Sequence, residues 1–508
     1  MRRYAFAHKM SKFSFFGALL LVFLLSGCKR GRVYDVELTP IMKKALDDTS
    51  SIWYADFANF PKGEQRGRAA WPIGVFDSGT GGLALLEVLL TADNMNNITG
   101  ELTPDGIPDL AGEDFQYLAD LANMPYGTYP SEGKEDYLRE LAVKNTLFLL
   151  GDKYYELSAD KIPKGVKNRC KIILVACNTT TAYALKDIEN LLRLSQTGVK
   201  VIGIVDEGAD AAYDHIWRTQ KADSISIGVM ATLGTVASGA YPKALKRARE
   251  ERKYTGYVQV IEDAGVGLEE SVDVVKDYVN PALNTPRASY RGPVLGGGED
   301  DINEELLDVY NFNFANNGVL YKKEKGKYVD FQLNSAENYA RFNLVNLVEK
   351  LRNTKEQAPL KCIILGGTHY PYLLETFNKV VEELKGYKKN GKLIYSHLFT
   401  HDFMFIDPAR FVALECSTIL REENLLALRT RKGNVEPFVS VPSYFVDNSN
   451  LEEKGGFTHK FKYGRSIGTE EVTTVNVPFS KDNINPDNIK RIESMVPKTY
   501  SKIKEKLK

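Results

Sequence analysis

A thiol, an amide and three hydroxyls stand together at Cys177-Asn178-Thr179-Thr180-Thr181, directly after the apolar run from Ile172 to Ala176. A thiol acts as base or nucleophile through its thiolate, and neighbouring amide and hydroxyl groups can fix a small polar ligand beside it. The bland alternative is that Cys177 is a small buried hydrophobe, as free cysteines usually are. A second stretch with chemical potential is Asp77-Ser78-Gly79-Thr80-Gly81-Gly82. Its glycines let backbone amides approach an anion where a helix begins. It is neither a Walker loop nor GxGxxG, so a small carboxylate fits it better than a nucleotide. A third is the turn Pro125-Tyr126-Gly127, downstream of a strand end at Asp120. His397 and His401 are spaced i, i+4 without an HExxH, so no metal site is expected there.

Certain elements must position these residues. The β-branched run at Ile172 reads as a strand buried on both faces, as in a parallel sheet, with its polar residues at the carboxyl end where ligands bind in open α/β sheets. Ile73–Phe76 reads as a strand and Leu83–Leu90 as the start of an apolar helix. The pattern then repeats. SIGVMATLGTVASGAYPKAL around Gly228 echoes PIGVFDSGTGGLALL around Gly74, and CIILGGTHYPYLL around Gly367 echoes IILVACNTTTAYAL around Cys177. Such internal similarity predicts an α/β fold of two pseudosymmetric three-layer domains with parallel sheets, facing each other across a ligand cleft.

The motifs IGVFDSGTGG, MPYGT, VACNTTTA, VIGIVDEGA, IGVMATLGT, ASGAYPKAL and ILGGTHYPYLL, in that order, resemble the aspartate/glutamate racemase superfamily, and most of all glutamate racemase. The resemblance runs from Trp71 to about Leu414. It implies no cofactor, and a reaction in which one cysteine thiolate removes the α-proton of an acidic amino acid while a second cysteine thiol returns a proton on the other face. Cys177 matches the first of these. Gly367 stands where the second is expected, and glycine has no proton to exchange. Cys362 lies five residues earlier, inside the strand, and His369 is left as a candidate acid, directly or through a water. The resemblance further assigns Asp77 and Ser78 to the substrate amino group and the first base, and Tyr126 and Gly127 to the carboxylate. Asn178, Thr179, Thr232 and Thr368 become substrate contacts. Glu270 takes the acidic role of a PLVE-type segment, although Gly267 replaces its proline and Glu262-Asp263 its preceding cysteine-proline. With one cysteine missing, three functions stand open: a racemase of altered mechanism, a single-cysteine enzyme similar to arylmalonate decarboxylases, and a catalytically silent binder of acidic amino acids or wall peptides.

Composition bounds the rest. The chain has 508 residues, 43% hydrophobic content and zero formal net charge, which suits two or more domains and gives no sign of a nucleic-acid partner. Basic residues, an apolar run from Phe13 to Leu25 and Leu25-Ser26-Gly27-Cys28 predict a signal peptide (1–28) with a lipobox, Cys28 being acylated and the protein anchored on the periplasmic or outer face of a bacterial membrane. Residues 29–70 read as a tether with one short helix. Residues 71–197 with 378–421, and 198–377, read as the two halves, the second carrying an insertion at 286–330 that is by default a surface addition. Residues 422–508 read as an extension with edge strands. Its last part, Val477 to Lys508, has eight Lys/Arg against four Asp/Glu and is expected to be a solvated helix.

Overall fold

A computed structural model describes residues 34–60, 65–219, 224–428, 430–452 and 456–507. The signal peptide and lipobox expected at residues 1–28 lie outside the described residues.

Two sheets organise the molecule. In the first, β1 (Ile73–Asp77), β2 (Phe115–Ala119), β3 (Ile172–Val175) and β4 (Lys200–Gly203) run parallel in the order β2-β1-β3-β4. Every residue of β1, β2 and β3 is buried, which is why β3 is an unbroken apolar run and why β2 admits only one strongly polar residue, Gln116, whose amide donates to the Asn168 carbonyl at 2.8 Å. Ile73, Val75, Ile172 and Leu174 pack with Leu85, Leu86 and Leu89 of α1 (Leu83–Thr91) and with Val412, Ala413 and Cys416 of α6 (Pro408–Glu422). Inside this half, Lys171 Nζ lies 2.5 Å from Glu113 Oε2 and also donates to the carbonyls of Ala69 and Leu425, with both side chains shut off from water.

In the second sheet, β5 (Ser224–Ala231), β6 (Tyr257–Asp263), β9 (Leu360–Gly366) and β10 (Phe399–Ile406) are parallel in the order β10-β9-β5-β6. Here β9 displays the two-residue period of a strand covered on both faces. Ile363 and Leu365 join the core formed by α5 (Ala336–Arg352), and Cys362 and Ile364 join the core formed by α3 (Ile204–Thr219).

Four boundaries differ from those read in the sequence. β4 pairs with β3, so the first half continues past 197. β10 pairs with β9, so residues 399–406 belong to the second sheet, while α6 immediately after them packs on the first. Residues 422–508 are built into the first half: β11 (Val435–Pro442) adds parallel to β2, and β12 (Thr474–Pro478) adds antiparallel to β11. The insertion contains most of an antiparallel hairpin, β7 (Val319–Glu324) and β8 (Lys327–Leu333), whose second strand ends beyond it.

Two expected loose segments are docked. In the tether, Ile41, Met42 and Ala45 of the helix Pro40–Asp47 are fully buried. The basic end forms α7 (Pro486–Met495) and α8 (Pro497–Ile503). Ile492, Val496 and Ile503 enter the core of the first sheet, Met495 rests on that of the second, and the Lys498 and Thr499 amides donate to Glu87. Most of its charges face solvent, Arg491 excepted; its apolar stripe is buried.

Candidate active site

Strands that pair in register end together. β1 and β3 align Phe76 with Val175, so Asp77-Ser78 and Cys177-Asn178 emerge side by side at the carboxyl edge of the first sheet. β5 and β9 align Ala231 with Gly366 and deliver Thr232 and Gly367-Thr368 in the same way. The two edges enclose a cavity of about 210 Å³. It is lined by Asp77, Ser78, Tyr126, Gly127, Cys177, Asn178, Thr179, Thr232, Glu270, Gly367 and Thr368, all singled out in the sequence. Glu269, Tyr278, Thr128, Ser131, Pro125 and Leu233 complete the lining. His369 is close but does not line it. Neither does any residue of the 286–330 insertion.

Cys177 is the N-cap of α2 (Asn178–Ser195), its Sγ accepting from the Thr180 amide at 3.4 Å. The thiol also stands 3.8 Å from Ser78 Oγ. A helix start favours a thiolate. Burial and the neighbouring Asp77 carboxylate act more strongly and push the Cys177 thiol up to about 12, so at neutral pH it holds its proton. Burial likewise raises Asp77, partly offset by His369 and by the Gly82 amide, which donates to its carboxylate at 2.8 Å. Among the described residues lining the cavity there are three carboxylates and no lysine or arginine.

Hydroxyls join the two halves. Thr179 Oγ1 and Thr232 Oγ1 are 3.2 Å apart, Thr232 Oγ1 and Thr235 Oγ1 are 2.9 Å apart, and Tyr241 donates to Asn178 Oδ1 at 2.9 Å. Tyr126 lines the cavity. Its hydroxyl is turned away, donating to Asp120 and accepting from Asn145 at 3.0 Å.

On the second wall, the Cβ that a thiol at residue 367 would need is crowded by a ring. A Cβ on Gly367 would lie 2.8 Å from Cζ of Tyr370, a side chain with no exposure to water. The same ring packs over Gly265, whose φ of +56° suits glycine. Cys362 cannot replace the thiol: it is fully buried on the α3 side of β9, and burial pushes it up to about 12.

His369 sits behind this wall. Gly81 of the glycine-rich turn abuts it so closely that a Cβ there would come within 2.4 Å of His369 Cε1. Its Nδ1 is 3.3 Å from Thr368 Oγ1 and 3.4 Å from Glu269, and its Nε2 is 3.1 Å from Asp273 Oδ1. Burial disfavours the charged ring, but Asp273 and Glu269 outweigh it and hold His369 up at about 9. Arg491 of α7 pairs with the same Asp273 oxygen. Asp273 stays low despite burial, held down by His369 and Arg491. Glu269 lies in the first turn of α4 (Leu268–Val272) with Glu270 beside it, and burial pushes it up to about 7 even with His369 nearby. Sequence reasoning assigned the acidic role to Glu270 and missed Glu269, Asp273 and Arg491. Glu269 was within reach, since the two acids are adjacent; nothing local ties Arg491 to residue 273.

No family model matches the chain. Among curated proteins it is similar to the glutamate racemases of Oceanobacillus iheyensis (30% identical over 217 residues, 42% of this chain and 62% of that one) and of Geobacter metallireducens (32% over 179 residues, 35% and 48%). That of Pediococcus pentosaceus is 28% identical over 248 residues, 49% of this chain and 72% of that one. The matched stretch thus spans from about half to about three fifths of the first of these relatives. Among solved structures, a glutamate racemase isoform from Bacillus anthracis aligns over 73% of this chain and 88% of its own at 21% identity, with a TM-score of 0.41.

Proposed function

We propose, for a chain that belongs to the aspartate/glutamate racemase superfamily and is most like the glutamate racemases, that its cavity takes a small acidic amino acid and exchanges the α-proton at Cys177 without a cofactor. The observation that carries this reading is the placement of Cys177 at a helix start on one wall, opposite a carboxyl, Glu269, that titrates near neutrality on the other. The two groups replace the expected pair of thiols. In the resting site Cys177 holds its proton and Glu269 is partly ionised. Glu269 then removes the α-proton from one face while the Cys177 thiol delivers its own to the other. The product is the mirror-image amino acid, with Glu269 protonated and Cys177 a thiolate, and this is the starting state for the reverse direction. The ligand's ammonium group beside Asp77 offsets the carboxylate that raises the thiol, which makes the thiolate accessible only with ligand bound. His369 stands behind Glu269 as its charged partner, not as the group that meets the substrate.

A second reading is a silent binder of acidic amino acids, favoured by the high thiol and by Gly367. One experiment separates them. The full chain, solubilised in detergent, is incubated in D₂O with L- and D-glutamate and aspartate while the α-proton is followed by NMR and inversion by chiral chromatography. Exchange with inversion, lost in both Cys177→Ala and Glu269→Gln, is the expected result. Exchange that survives Glu269→Gln removes Glu269 from the mechanism, and no exchange with any substrate leaves the binder. Attachment to a membrane through acylated Cys28, and a link to wall metabolism, are parts of this proposal that rest on the sequence alone. A mass shift at Cys28 of the mature protein tests the former.

A further inference from the structure

Arg491 lies on α7, in the carboxy-terminal extension, yet it reaches the back of the cavity. Its guanidinium touches three groups from two halves: Nη2 donates to Thr80 Oγ1 of the glycine-rich turn at 2.9 Å, Nη1 donates to the Val272 carbonyl at 3.2 Å, and Nη1 pairs with Asp273. Thr80 is next to Gly81, the residue pressed against His369, and Asp273 Oδ1 is the atom that His369 Nε2 faces. The helix that carries Arg491 straddles the same seam, with Ile492 in the core of the first sheet and Met495 on that of the second. Arginine suits this place because its planar fork satisfies several acceptors at fixed angles, which a lysine cannot do.

We propose that Arg491 is a positioning residue of the active site: it shares Asp273 with His369 and pins the glycine-rich turn of the first half against α4 of the second. The carboxy-terminal extension is on this account a working part of the cleft. Because one carboxylate oxygen serves two cations, Arg491 weakens the hold of Asp273 on the imidazolium. The groups that face His369 are Asp273, Glu269 and, further off, Glu270 from α4, Asp77 and Gly81 from the first half, Thr368 from its own segment, and Arg491 from α7. The inference bears on turnover only through the function proposed above, but its primary test does not depend on that function.

The test is a histidine NMR titration of the full chain in detergent, with the His369 signal identified among six histidines by its loss in His369→Gln. In Arg491→Met the His369 titration is expected to move upward by roughly half a unit or more, since a competing cation has gone. In Asp273→Asn it is expected to move down. In the double variant Arg491→Met/Asp273→Asn, the step caused by Arg491→Met is expected to shrink to near zero, because the two residues act through one oxygen. An equal upward step with and without Asp273 overturns the shared-carboxylate account and leaves simple charge repulsion. No movement in a folded Arg491→Met overturns the proposal outright. If Arg491→Met fails to fold, Thr80→Val, which cuts only the Nη2 contact, takes its place: a shift of His369 supports the pinning role and an unchanged titration refutes it. Failure of the amino-acid exchange assay with these titration shifts intact would count against the proposed function and not against the positioning role.

Discussion

Restoring the absent cysteine is the perturbation on which the two-group mechanism is most exposed. If Gly367 were simply a lost thiol, Gly367→Cys should create a conventional pair with Cys177. The geometry says otherwise. The new Cβ would lie 2.8 Å from Tyr370 Cζ and about as near to both ring carbons beside it, at 2.9 and 3.0 Å. Tyr370 is fully buried, its hydroxyl end is pressed over Gly265, and it belongs to the core of the second sheet. The ring can yield only by disturbing that core. Overpacking of this kind costs about 1–3 kcal/mol, which lowers the folded-to-unfolded ratio roughly 5- to 150-fold. Gly367→Ala carries the same Cβ without the sulfur and should lose stability by a similar amount. The assay is guanidinium unfolding of wild type, Gly367→Ala and Gly367→Cys, paired with the inversion rate for glutamate. Both variants are expected to be less stable, with no gain in inversion from the cysteine. A Gly367→Cys protein as stable as wild type and faster at inversion would refute the idea that Tyr370 occupies the place of the thiol.

Two further outcomes follow from the buried charges. His369 has its folded pKa raised from 6.5 to about 9, so its contribution to stability is fully present below about 6.5 and is lost as pH rises through about 9. At about 1.36 kcal/mol per unit this approaches roughly 3 kcal/mol. Unfolding curves collected from about pH 6 to about pH 9 should show that loss in wild type and a much flatter profile in His369→Gln; parallel profiles would remove the imidazolium from the stability of the site. Lys171→Met leaves Glu113 buried without its cation, and should cost about 3–5 kcal/mol in the same unfolding assay. A loss below about 1 kcal/mol would mean that water reaches Glu113.

Much of the sheet framework was legible because the central parallel strands are buried on both faces and therefore carry largely apolar runs. The same logic placed Cys177, Thr232 and Gly367 at strand ends, and strand ends are where the cavity lies. What stayed hidden depends on contacts far apart in the chain. His369 looked like a group facing the ligand, because its turn follows Gly367 directly; Gly81, nearly three hundred residues earlier, is what shuts it behind the wall. Arg491 looked like one basic residue in a solvated helix. The stripe of Ile489, Ile492 and Val496 at helical spacing was the available sign that this helix docks, and the count of lysines masked it. The boundaries failed where an α/β unit splits its loyalties, as β10 and α6 do.

The addition of β11 to β2 bears on how the molecule comes to be folded at all. Leu118 is paired with Phe438, and Asn434 donates to Asp114, 320 residues before it. Until that late segment arrives, the β2 edge presents its unpaired amides and carbonyls to whatever strand is near, and such an edge is a template for association with another chain. A pairing this distant also places a large loop-closure cost ahead of its reward, which slows folding. The earliest-made sheet is thus the last to be completed, and any nascent or truncated form that stops before residue 435 carries an open, aggregation-prone edge through its whole lifetime.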